Sequence, residues 1–192
     1  MSANIEFFFD ISSPYSYLAA TQIEAVAARA GGTARWRPFL LGGVFKSVGN
    51  KPPASLPARG RYMLTDLYRW AAEYEVPFEF PSTFPMNSLL AMRALTATPE
   101  SERPEAALAL FQAYWGKDRD LTRPEVLATL IGEDPVMQAV TPEVKDALRV
   151  TTEEAITRGA FGAPTIFVGD EMFFGNDRLQ FVEAALRRGL HT

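Results

Sequence analysis

The sequence has no cysteine and a single histidine in its 192 residues. Without cysteine there is no disulfide framework, no thiolate zinc site, no cysteine nucleophile and no CxxC redox centre. The one histidine, His191, is the penultimate residue, which disfavours Ser-His-Asp catalysis and histidine metal sites, so no metal is expected. An excess of basic charge is missing too. The net charge is −4, and no basic stripe is present to track a phosphate backbone, so a nucleic-acid partner is not expected. No apolar run approaches the roughly 20 residues that cross a bilayer, and MSANIEFFFD lacks the basic start and apolar core of a signal peptide. The expectation is a cytoplasmic protein that does not engage a membrane. Demanding nucleophilic chemistry must therefore use another activated group, or a nucleophile brought from outside.

What is present suits a folded chain. It is 47% hydrophobic and 22% charged, and its length fits one globular unit or one domain with a sizeable insertion. IEFFF, residues 5–9, is short and nearly all apolar, as in a strand covered on both faces. Pro14 suits the first position of a helix and makes Ser13 its N-cap. From there Tyr15, Leu18, Ala19, Ile23 and Val26 recur at helical spacing until Gly31-Gly32, and ARWRPFLL, 34–41, reads as a second strand. This is a βαβ unit with a parallel pair. At the other end, residues 151–160 read as a short helix and TIFV as a strand. Gly169-Asp170 then reads as a hairpin turn into EMFF, and GNDR opens a last helix capped by Asn176 or Asp177.

The order β-α-β followed by α-β-β-α is that of an α/β thioredoxin-like fold. Its discontinuous domain spans 1–41 and 151–192, with an all-helical insert at 42–150. Within the insert, 62–74, 86–97, 104–116, 123–131 and 141–150 carry helical spacing or helix-start signals. The proline-rich GNKPPASLP, 49–57, reads as a loop that serves either as a structured lid or as a plain crossover. Trp70, Trp115 and the Phe84-Pro85 region are expected in the core.

Several stretches together resemble the DsbA-like, kappa-class glutathione transferase family, over essentially the whole chain. They are FFFDISSPYSYLA, SVGNKPPASLP with RGRYMLTDL, and AFGAPTIFVGDEMFFGNDRL. Kappa transferases share GNKPP, the Tyr62-Met63 pair and a Gly-x-Asp-Arg before the last helix, while GDEMFFGNDR is worded more like the family's isomerase branch. The resemblance implies a bound glutathione. The catalytic serine is the one directly before proline, Ser13, and Ser12 is left without a role. Asn50 is the asparagine of the Gly-Asn pair. Ala163, before an expected cis Pro164, would offer its backbone to the cysteinyl portion, and Asn176 and Asp177 would hold the γ-glutamyl end. Arg59 stands where kappa members have a lysine contact. Asp66 matches a position that reaches toward the partner's glutathione in kappa dimers, so a homodimer is implied.

Ser13 taken alone is a helix cap, but the same position has chemical use. The N–H groups and positive partial charge at a helix start stabilise a docked thiolate, to which a hydroxyl can donate. The resemblance implies an enzyme in which glutathione supplies the missing thiol. That thiol would add to the electron-poor double bond of an aromatic-derived 2-oxo acid or its cyclic hemiketal, allow rotation, and then be eliminated. The apolar insert would shape the pocket for this small aromatic substrate. A transferase or peroxidase that consumes glutathione, or a non-catalytic thioredoxin-like binding protein, are the alternatives.

Overall fold

The aromatic run at the start of the chain becomes a central strand because helices cover both of its faces. The structure, a computed structural model, describes residues 4–50 and 56–189; His191 and residues 51–55 of the proline-rich stretch lie outside the described residues. Strand β1 (Asn4–Phe9) pairs in parallel with β2 (Thr33–Pro38), setting Phe7 opposite Trp36. On its other side β1 pairs antiparallel with β3 (Thr165–Val168), which turns into β4 (Glu171–Phe174) to give the order β2-β1-β3-β4. Gly169 makes that turn at φ +57°, a backbone region glycine enters without a Cβ clash. One parallel crossover followed by a hairpin on the far side is the thioredoxin-like arrangement expected from the sequence.

Alternation along β1 divides the core. Ile5, Phe7 and Phe9 are fully buried beside Trp36 and Ile166, and share a cluster with residues of α2 (Ile23–Arg29) and α10 (Leu179–Gly189). Phe7 and Phe9 stack at 5.3 Å, and Trp36 meets both edge-on at 5.0 and 5.4 Å. Phe8 faces the other way, toward Phe39, Phe167 and Ala155 of α9 (Pro142–Thr157). On that face Glu6, Arg37, Glu154 and Arg158 close a ring of ion pairs, with Arg37 over the Phe8 ring and Arg158 over Phe167.

Several boundaries differ from the sequence expectation. The first helix is two pieces, α1 (Pro14–Ala20) and α2. The Thr21 hydroxyl bonds the Leu18 carbonyl at 2.8 Å and the Gln22 N–H bonds Ala19 at 3.0 Å, so a tight turn interrupts the ladder. The second strand stops at Pro38, and residue 41 opens a helix, α3 (Leu41–Val48). Its Gly42-Gly43 pair hid it, yet a Cβ on Gly43 would lie 3.3 Å from the Thr152 methyl of α9.

The remaining helices are α4 (Pro57–Glu73), α5 (Leu89–Ala97), α6 (Arg103–Lys117), α7 (Pro124–Ile131) and a short α8 (Glu133–Gln138). Helix α4 starts earlier than expected, with proline in its first turn, and α5 starts later, beyond a cis Phe84-Pro85 bond. Helix α9 runs unbroken through residues 150 and 151, where two helices and a domain seam were expected. Its Thr151-Thr152 pair does not end it, because the Thr152 hydroxyl donates to Leu148 at 2.7 Å and accepts the Leu40 N–H at 3.0 Å. At the C-terminal end, residues 176–178 form one 3-10 turn before α10. Gly175 is the cap there, not the side chain of Asn176 or Asp177.

Phe9→Ala should lower the unfolding free energy by about 3–5 kcal/mol, read from the urea midpoint at unchanged slope. A loss under about 1 kcal/mol would mean that the Phe7, Phe9 and Trp36 layer is not close-packed.

Candidate functional site

The site grows from the loop between β1 and α1. Asp10, at the end of β1, is 1% exposed. Its Oδ1 accepts the Ser12 N–H and the Ser12 hydroxyl, each at 2.9 Å, and its Oδ2 accepts the Leu41 N–H at the start of α3, also at 2.9 Å. The Ser88 hydroxyl lies near enough to favour the ionised form. Burial outweighs these donors and pushes the carboxyl above its ordinary value of 3.8. Between Asp10 and Ser12, the Ile11 carbonyl accepts from the indole Nε1 of fully buried Trp115 at 2.8 Å. The loop is thus pinned from below before the helix begins.

Ser13 is buried and is the N-cap of α1, as its place before Pro14 predicted. Its Oγ accepts the Ser16 N–H at 3.1 Å and donates to the Ala163 carbonyl at 3.0 Å, across 150 residues of chain. Ala163-Pro164 is cis. The Pro164 carbonyl accepts the Gly175 N–H at 3.1 Å, which seats the turn carrying Asn176 and Asp177.

A cavity of about 490 Å³ opens above Ser13 and is lined by Ser12, Ser13, Asn50, Arg59, Asp66, Ala163, Asn176 and Asp177. Pro164 is not on its wall; it sits buried behind Ala163. Asn50 is exposed and donates through Nδ2 to the Phe161 carbonyl at 3.2 Å. Arg59 is exposed, with no ion-pair partner among the described residues. Asn176 is buried, and Asp177 pairs with Arg178 at the surface. Asp66 accepts from the Tyr15 hydroxyl at 3.1 Å; burial first, then this carboxylate, push the Tyr15 phenol well up.

The structure adds residues that sequence reasoning did not single out. The Tyr74 hydroxyl donates to the Asn176 carbonyl at 3.0 Å and so holds that turn from α4. Phe161 and Phe174 flank the cavity with ring centroids 4.6 Å apart. Gly162 lies on the same wall, where a Cβ would come within 2.7 Å of the Phe174 ring. Trp115 is in the core as expected, but Trp70 and Phe84 are half-buried and line the cavity. For Trp70 a signal existed: Met63, Asp66 and Trp70 share one face of α4 at spacings of three and four. Tyr74, four residues further on, continues the same spacing. Beyond Ser12, Leu41, Phe45 and Phe84, which the two share, lies a second cavity of about 740 Å³. Leu40, Met86 and Leu89 line it, with Ser88 contributing a hydroxyl.

Residues 4–187 match the model of the DSBA-like thioredoxin domain. The chain is 34% identical over 194 residues to a 2-hydroxychromene-2-carboxylate isomerase of Sphingobium xenophagum, covering 97% of this chain and 99% of that protein. It is 35% identical over 201 residues to human glutathione S-transferase kappa 1, covering 93% and 88%. A solved structure of 2-hydroxychromene-2-carboxylate isomerase superposes with a TM-score of 0.87 at 30% identity, covering 98% and 96%.

Because the Asp10 carboxyl is raised in the folded protein, its contribution to stability is fully present below the ordinary value of 3.8. That contribution is lost as pH rises through the folded value. Asp10→Asn removes this titration. The stability advantage of wild type over the variant, read from urea midpoints, should therefore shrink as pH is raised from about 4 toward 7; an advantage that grows over that range would reverse the assignment.

Proposed function

The chain belongs to the DSBA-like thioredoxin domain family, and we propose that it is a glutathione-dependent isomerase. In this reading it interconverts 2-hydroxychromene-2-carboxylate, a cyclic hemiketal, with trans-o-hydroxybenzylidenepyruvate, as a cytoplasmic homodimer serving aromatic-compound catabolism. The observation that carries the reading is the Ser13 hydroxyl, held at the start of α1 against the Ala163 carbonyl in a chain without cysteine. Likeness along nearly the full length of an isomerase and its structure supports it.

The residues present fit glutathione. The first cavity lies in the ordinary range for a small-molecule site, about 300–1,000 Å³. Arg59 is a cation available to a carboxylate, and Asp177 and Asn176 offer polar groups to an amino-acid end. Asn50 borders the same wall and steadies the Phe161 carbonyl beside Gly162 and Ala163. Glutathione, when bound, supplies a thiolate that adds to the substrate's double bond, permits rotation, and is regenerated by elimination.

The chain's own residues prepare for this in three ways. Ser13 has one proton, and that proton lies on the Ala163 carbonyl. When that carbonyl accepts instead from a peptide N–H, the Ser13 proton is free to turn toward a sulfur at the cavity wall. The Ser16 N–H stays on Oγ and keeps the hydroxyl in place. The largely apolar second cavity, reached past Phe84 and Phe45, suits a bicyclic aromatic acid.

A kappa-type transferase is the second reading, favoured by the 35% identity to the human enzyme. An absorbance assay with 2-hydroxychromene-2-carboxylate, with and without glutathione, tests the first. Conversion that requires glutathione and leaves its concentration unchanged supports the isomerase. Consumption of glutathione supports the transferase, and binding without turnover of chromene, halo-aromatic or hydroperoxide substrates supports a binding protein. Sedimentation and cell fractionation test the dimer and the location.

Ser13→Ala should raise the pKa of the bound thiol by about 1–2 and lower turnover about 10- to 100-fold. This is the scale of one hydrogen bond to a charged group, about 1.5–3 kcal/mol. Unchanged thiolate absorbance together with unchanged activity in the folded variant would remove Ser13 from the mechanism.

A further inference from the structure

Ser12 stands on the wall common to both cavities, and its hydroxyl is bound to a carboxylate that the steps above do not use. We propose that Ser12 and Asp10 form a proton relay that opens and closes the hemiketal ring of the substrate. The inference rests on the isomerase reading and adds to it a catalytic residue, Ser12, with Asp10 acting through it.

Every hydrogen bond to Asp10 comes from a donor. Two are backbone N–H groups, of Ser12 and Leu41, and the third is the Ser12 hydroxyl, with the Ser88 hydroxyl nearby. The N–H groups can only donate, whereas a hydroxyl can donate to the carboxylate or accept from the protonated acid. Among the described residues no cation forms an ion pair with Asp10. Helix α1 carries no charged side chain, Lys46 is exposed on α3, and Arg93 of α5 and Glu6 of β1 are not among the groups that act on Asp10. A buried carboxylate with no counter-ion lowers stability, and burial holds its proton affinity above that of an ordinary aspartate. Both properties suit a proton acceptor better than a structural tie.

The route from this carboxylate to the substrate runs through a hydroxyl. Ser88 reaches the second cavity only, whereas Ser12 lies where the two cavities meet. Ser13 next to it has its proton committed to the Ala163 carbonyl or a sulfur, so the two serines divide the work.

Opening the hemiketal breaks the bond between the ring oxygen and the hemiketal carbon and forms a carbonyl at that carbon. One proton must leave the hemiketal hydroxyl and one must reach the phenolate. Ser12 Oγ takes the hydroxyl proton while its own proton passes to Asp10 Oδ1. The hydroxyl's electron pair becomes the carbonyl π bond, and the C–O bond pair leaves on the phenolate. The same proton then returns from Asp10 through Ser12 to the phenolate oxygen. The sum is an isomerisation with no co-reactant, and the reverse sequence closes the ring.

The test compares two substrates in the presence of glutathione: 2-hydroxychromene-2-carboxylate, and cis-benzylidenepyruvate, which has no ring hydroxyl and cannot cyclise. Ser12→Ala should lower turnover of the hemiketal about 100-fold relative to turnover of the acyclic compound, the scale of general acid–base catalysis. Ser12→Thr, which keeps the hydroxyl, should recover most of that ratio. Glutathione affinity and bound-thiolate absorbance should change less than about twofold in Ser12→Ala. Wild-type hemiketal turnover should fall on the acid side through one ionisation that is missing for the acyclic compound and missing in Asp10→Asn. If Asp10→Asn does not fold, the Ser12 pair decides. A Ser12→Ala loss equal on both substrates, or no change in their ratio, overturns the relay and leaves the isomerase reading standing. Wild type inactive toward both overturns the isomerase reading and the relay with it.

Discussion

A buried carboxyl that pairs with no cation among the described residues sets the geometry around which this site is arranged. Burying an unpaired charge costs several kcal/mol unless donors converge on it. The polar groups around Asp10 come from three separate stretches: the Ser12 loop, the start of α3 at Leu41, and Ser88 just before α5. Meeting that one requirement brings the ends of three helices to the C-terminal end of β1. Trp115 fixes the same loop from below through the Ile11 carbonyl, leaving Ser13 one position to occupy. From there its hydroxyl reaches the Ala163 carbonyl and ties the first strand-helix unit to the last hairpin.

The consequence is a catalytic scaffold of the thioredoxin type in which the protein offers hydroxyl and carbonyl groups but no sulfur of its own. In such an arrangement the protein cannot be trapped in a disulfide, and its chemistry follows from what it binds. The second cavity gives the arrangement direction. One wall carries Ser13 and Ala163, the opposite side is apolar, and Ser12 lies at their junction.

Much of this was legible in the sequence where the signal is local. A serine before proline names a cap, an aromatic run names a buried strand, and Gly169-Asp170 names a turn; all three stand where they were expected. The family's motif positions, from Ser13 and Asn50 to Asn176 and Asp177, lie around one cavity. What could not be read depends on tertiary partners. Helix α3 contains adjacent glycines and is stabilised by Asp10 at its start and Thr152 on its flank, neither visible from its own composition. The Thr151-Thr152 pair looked like the start of a separate helix because its hydroxyl bonds, one of them to Leu40, lie outside local pattern. Asn176 looked like a cap, but the backbone at Gly175 takes that position and Tyr74 holds the residue instead. Asp10 carries no local signal of its role, because its partners Leu41 and Ser88 are distant in sequence.

The unbroken course of α9 bears on how the molecule can move. Sixteen residues of helix make a rod of about 24 Å. One part of it is tied to Leu40 through Thr152, and the turn beyond it to the sheet through Glu154 and Arg37. A rod that crosses a boundary leaves no hinge there, so the helical layer and the sheet cannot rock apart about residue 150. The Phe161–Phe174 pair and the turn at 175–177 line the cavity on the hairpin side. A site of this kind is largely assembled before anything enters it, and little binding energy is diverted into domain closure.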